Sequence, residues 1–106
     1  MTINGMRPVH PGEILLEEFM KPSDPRINAN TLAKALEVPA NRITAIIKAQ
    51  RGITGDTAVR LAGFFNTTAE FWMNLQKTYE LRLAEQALPV KVRRHIEQGG
   101  DPLVTA

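Results

Sequence analysis

Residues 28–51, NANTLAKALEVPANRITAIIKAQR, decide the fold. Two apolar series run through them at the 3-4 spacing of a helix: Leu32, Ala33 and Leu36 in the first half, Ile43, Ile46 and Ile47 in the second. Asn28 stands where an N-cap side chain accepts a backbone N–H, and Ile27 before it is placed to pack on Leu32 as a hydrophobic staple. Glu37-Val38-Pro39 interrupts after about two turns, and Pro39 both stops that helix and opens the next. Two short helices joined at a steep angle by three or four residues make a helix-turn-helix. Here Ala33 permits the close crossing, Val38 plugs the turn, and Ile43 and Ile46 anchor the later helix from beneath. Glu37 occupies the turn position where glycine with positive φ is common. That predicts either a reshaped turn or a cost of roughly 1 kcal/mol.

The later helix is expected over roughly 40 to 50, with Ala40, Asn41, Arg42, Thr44, Ala45 and Lys48 facing out. In a helix-turn-helix the N-terminal half of this element enters the major groove of duplex DNA. The side-chain chemistry then suggests roles. Arg42 and Lys48 suit the O6/N7 edge of guanine, Asn41 the N6/N7 edge of adenine, and Ala45 or the Thr44 methyl a thymine methyl. Arg51 and the helix N-termini at Thr31 and Thr54 are placed for phosphates, which position without reading sequence. Arg26 and Lys34 are weaker phosphate candidates.

Outward from this centre the chain keeps helical spacing and shows no strand alternation, so an all-α fold of five helices is expected. The first helix opens at Pro11 and ends near Pro22, with Ile14, Leu15 and Phe19 inside and Glu13, Glu17 and Glu18 making an acidic outer side. Thr54 caps a fourth helix that buries Ala58, Leu61, Ala62 and Phe65. Thr67 and Glu70 read as a capping box for a longer fifth helix reaching about Leu88. Its aromatic and aliphatic residues Phe71, Trp72, Leu75, Tyr79 and Leu83 are more apolar surface than one small core hides, so Phe71, Leu75, Tyr79 and Leu83 are expected at a two-fold interface, because DNA half-sites one turn apart require a symmetric pair. Residues 1–10 read as an N-terminal arm, 11–88 as the DNA-binding and dimerisation domain, and 89–106 as a flexible tail with a possible short helix from Val90 to Ile96.

At 106 residues and 11.8 kDa the chain is bounded to one core. Without cysteine it has neither disulfides nor a cysteine-based zinc site, and no apolar run approaches a membrane span. The first ten residues lack the basic start and apolar run of a secretory signal, so a cytoplasmic protein is expected. The net charge of +2 conceals a partition. Residues 1–25 carry two basic and four acidic side chains, 26–60 six and two, and 61–106 five of each. The basic excess therefore falls on the helix-turn-helix. The two histidines, His10 and His95, come with no metal-binding motif or carboxylate cluster, and Ser23 has no neighbouring base. No catalytic residue, metal or cofactor is expected. His10 is placed to order the start of the first helix.

These residues also resemble a family. The segments Arg7-Pro8-Val9-His10-Pro11-Gly12-Glu13-Ile14-Leu15, Leu32-Ala33, Val38-Pro39, Arg42-Ile43, Arg51-Gly52-Ile53-Thr54, Asp56-Thr57-Ala58, Arg60-Leu61-Ala62 and Phe71-Trp72-Met73-Asn74-Leu75-Gln76 are similar to those of HigA-type antitoxins, within the Xre-like helix-turn-helix group. Ala49 and Gln50 depart from the glycine and basic residue usual before Arg51. The resemblance implies a non-enzymatic dimer that binds its own operator, represses its operon and neutralises a HigB-type ribonuclease toxin. The acidic first helix is the candidate surface for a basic toxin. Two other readings fit the same residues: a solitary Xre-like regulator, and a helical protein-interaction module that does not bind DNA.

Overall fold

The computed structural model describes residues 7–99. Among them it is entirely helical: α1 (Pro11–Ile14) runs on into a π-helical segment (Leu15–Met20), followed by α2 (Ala29–Leu36), α3 (Ala40–Ile47), α4 (Gly55–Phe65), α5 (Ala69–Ala87) and α6 (Val90–Glu97). The five expected helices are present. A sixth, α6, falls on the possible short helix expected from Val90 to Ile96 within the tail, and residues 1–6 of the expected arm and 100–106 of the expected tail lie outside the described residues.

The first helix departs from its expected register. Lys21 N–H donates to the Leu16 carbonyl five residues back at 2.9 Å, so this stretch is wound wider than an α-helix. Residues five apart then stack, which places Leu15 and Met20 together in the core. Ile14 and Phe19, expected inside on α-helical spacing, are half-buried. The His10 side chain caps α1: its Nδ1 accepts from Gly12 N–H at 2.9 Å.

Leu15 and Met20 meet Leu32 and Leu36 of α2, Ile43 and Ile46 of α3, Leu61 of α4 and Trp72 of α5 in one core. Phe19 closes its aromatic edge, with ring centroids 5.1 Å from Phe65 and 4.8 Å from Trp72. Gly12 lets α1 and α3 touch, because a Cβ there would stand 1.8 Å from the Ile46 carbonyl oxygen.

The cap of α5 is shifted by one residue from the expected box. Asn66 ends α4 in the left-handed region at φ 57°, and Thr68 rather than Thr67 accepts Phe71 N–H, at 3.0 Å. Thr67 is used otherwise: its hydroxyl accepts the Trp72 indole N–H at 2.8 Å, satisfying a donor that enters the core. The buried residues of α5, Trp72 and Gln76, both lie in its first half, and α6 buries none. The molecule is accordingly 60 Å long against 29 and 22 Å across.

Candidate nucleic-acid interface

The turn between α2 and α3 keeps the tight geometry despite lacking glycine. Glu37 sits at φ 58°, Val38 N–H returns to the Ala33 carbonyl at 3.0 Å, and Pro39 then caps α3. The strain is accepted rather than relieved, since α2 and α3 share the Leu32, Leu36, Ile43 and Ile46 core on either side. Asn28 Oδ1 caps α2 on Thr31 N–H at 2.8 Å, and Thr54 caps α4 on Thr57 N–H at 3.5 Å.

On α3 the six outward candidates divide. Ala40, Asn41 and Lys48 are exposed, while Arg42, Thr44 and Ala45 are half-buried. The Thr44 hydroxyl donates to the Ala40 carbonyl of its own helix at 3.2 Å, so its proton is already committed within the helix. Arg42 reaches sideways: its Nη1 lies 2.7 Å from Asp56 Oδ2 at the start of α4, while its Nε is buried without a partner. Asp56 also takes Arg60 Nε at 3.0 Å, and Arg60 Nη1 donates to the Leu36 carbonyl at 2.7 Å. This chain of charges ties the end of α2, the start of α3 and the start of α4 together. The two arginines, Arg60 first and Arg42 next, hold the Asp56 carboxyl below its ordinary range.

After α3 the backbone turns at Ala49, again left-handed at φ 60°, and presents exposed Gln50 and Arg51. The loop is then fixed from two sides. His10, buried and edge-on to Tyr79 at 4.8 Å, hydrogen-bonds the Arg51 backbone. Gln76 Oε1 accepts Ile53 N–H at 2.8 Å, and Gly52 lies so close that a Cβ would stand 2.7 Å from the Gln76 amide. Burial lowers the His10 pKa, and the Arg51 backbone bond offsets part of that. Gln76 was missed by the sequence reasoning. The available signal is its polarity on the otherwise apolar stripe Trp72, Leu75, Tyr79 and Leu83.

The four α5 residues expected at an interface are divided too. Leu75 is half-buried against the core, Tyr79 is occupied by His10, and Phe71 packs on Phe19 and Trp72 while keeping an exposed edge. Leu83 is exposed. Of the acidic side chains of the first helix, Glu13 pairs with Arg7 and Glu17 with Lys21, each at 2.7 Å, and Glu18 is exposed. Arg26 and Lys34 are exposed. Among the described residues no group of three or more His, Cys, Asp or Glu is placed for a metal, and no helix is long and apolar enough to cross a membrane.

The stapled α2, the left-handed turn and the half-bare α3 define a helix-turn-helix protein. No family model matches the chain. It is, however, 52% identical to an addiction-module antidote protein of the HigA family from Coxiella burnetii, covering 88% of this chain and 95% of that one, with a TM-score of 0.75. The antitoxin HigA of Pseudomonas aeruginosa, solved with the higBA promoter, is 49% identical over 76% of this chain and 86% of its own, with a TM-score of 0.73. Antitoxin HigA-1 of Vibrio cholerae is 36% identical over 80% of this chain and 83% of its length. The chain belongs to the HigA family of antitoxins.

Proposed function

We propose that the protein is an antitoxin that binds the operator of its own operon as a two-fold dimer, represses that operon and neutralises a HigB-type ribonuclease toxin. The observation that carries DNA binding is the bare face of α3, bounded by the N-termini of α2 and α4 and followed by exposed Arg51, in a family with a member solved on promoter DNA. Asn41, Thr44, Ala45 and Lys48, with Ala40 at the entry, face base edges in the major groove. Arg51 and the caps at Thr31 and Thr54 meet phosphates and set the register. Arg42 reads guanine by turning from Asp56, exchanging one carboxylate oxygen for the two acceptors of a guanine edge. The membership in an antitoxin family and the acidic flank of the first helix support a basic toxin as the second partner.

Fluorescence-anisotropy titration against DNA from upstream of its own gene, beside a scrambled duplex of equal length, tests the reading. The upstream DNA is expected to bind roughly 10³-fold tighter or more. Arg51→Ala is expected to weaken both duplexes alike and to lower the salt slope by about one. Equal affinity for the two duplexes in the unmodified protein overturns it.

A further inference from the structure

Asp56 puts a carboxylate where the fold otherwise gathers positive charge. It lies in the first turn of α4, 56% exposed and bonded to Arg42 of α3, and among residues 26–60 only Glu37 shares its sign. A negative group beside a surface that meets DNA weakens the attraction to it. Its contacts give it a role there. One oxygen, Oδ2, accepts both Arg42 Nη1 at 2.7 Å and Arg60 Nε at 3.0 Å.

The two arginines are held unequally. Arg60 reaches Asp56 from one turn further along the same helix and has a second anchor, the Leu36 carbonyl, 2.7 Å from its Nη1. Arg42 is held by Asp56 alone, and its Nε is buried without an acceptor. A guanine edge offers a guanidinium two acceptors, O6 and N7, so Arg42 exchanges one hydrogen bond for two when it turns to DNA. Asp56 keeps a partner when that happens, because Arg60 stays on the same oxygen. A carboxylate left bare would repel the phosphates and oppose the exchange, whereas the Asp56–Arg60 pair is neutral.

We propose that Asp56 is an internal competitor for Arg42, which operator DNA displaces, with Arg60 taking over the carboxylate. This rests on the base-reading role given to Arg42 above and names the residue that sets its strength. The Arg42–Asp56 contact stabilises the free protein and is absent from the complex with a guanine edge. Operator affinity is therefore lower than α3 alone would give. On DNA without that guanine Arg42 stays with Asp56, so the competition falls on the operator.

Anisotropy titration of the full chain against the upstream and scrambled duplexes tests this. Asp56→Asn keeps the shape and removes the charge, so affinity for upstream DNA is expected to rise roughly threefold or more, and for the scrambled duplex by less. In an Arg42→Ala background the same substitution is expected to raise affinity for both duplexes alike, because no competition remains to be relieved. Arg60→Gln leaves Asp56 to Arg42 alone and is expected to cost upstream DNA more than scrambled DNA, a selective loss that a folding defect does not produce. Equal shifts on the two duplexes in Asp56→Asn, or a loss on the upstream one, overturn the competition; should Asp56→Asn fail to fold, equal shifts in Arg60→Gln do the same. An Arg42→Ala variant that keeps the parent's ratio of affinities overturns instead the base-reading role of Arg42.

Discussion

Replacing Gln76 by Met removes one acceptor from the centre of the molecule at nearly constant volume. The side chain is 8% exposed and the Ile53 whose N–H it accepts is 3% exposed, so no water replaces the lost oxygen without the loop opening. A buried donor left unpaired costs about 1–3 kcal/mol, and the flexible thioether adds little strain of its own. For a domain of this size that is a fall in Tm of roughly 5–15 °C. The loss is also local: the acceptor of the Ile53 N–H is Gln76 Oε1, so this amide should exchange hydrogen roughly ten- to a hundredfold faster relative to amides inside α4. Because Arg51 and Thr54 flank Ile53, affinity for specific and random DNA should drop together, with little change in their ratio. The assay is hydrogen exchange by NMR beside urea unfolding and anisotropy titration. A variant that loses stability while Ile53 keeps its relative protection would refute the reasoning, because Gln76 would then be a space-filling residue and no clamp.

The same substitution should act in opposite directions at two alanines. Ala49→Gly relieves a left-handed residue at φ 60° and should stabilise by about 0.5–1 kcal/mol in urea unfolding, whereas Ala35→Gly within α2 should cost about as much. Gly12→Ala drives a methyl into the Ile46 carbonyl and should lose about 3 kcal/mol in the same assay. His10 has its native pKa depressed by burial, so the neutral ring stabilises the fold. That contribution is complete above the ordinary imidazole value of about 6.5 and is lost as pH falls through it towards the native value. His10→Asn keeps a capping acceptor without titrating, and the parent's loss of stability between pH 7.5 and 5.5 should largely vanish in it.

The helix-turn-helix was legible because its signals are local. Asn28, Pro39 and the two apolar series specify caps and faces within a few residues, and α2, α3 and α4 lie where those signals place them. The register of the first helix was not, because five-residue stacking is set by where Leu15 and Met20 meet the core and not by the spacing of neighbours. The cap at Thr68 was misread by one residue for a related reason: Thr67 satisfies the capping pattern equally well until Trp72 claims its hydroxyl. At the candidate site, the exposure of Ala40, Asn41 and Lys48 on α3 followed from helical geometry alone, while the Arg42, Asp56, Arg60 and Leu36 chain, which half-buries Arg42, joins three elements that sequence spacing does not bring together. Gln76 and Ile53, 23 residues apart, are legible only in the folded chain.

The wide turn at Leu15–Met20 has a consequence for chain length. A turn closed five residues back holds one residue more than an α-helical turn, so the segment behaves as a one-residue insertion absorbed inside a helix. Deleting Leu16, Glu17 or Glu18 would let the stretch wind as ordinary α-helix with the Leu15 and Met20 side chains four apart, still on one face. Elsewhere in the helical body a single deletion rotates everything beyond it by 100° and turns the core outward. This is where homologous chains can differ in length by one residue without disturbing the helices on either side.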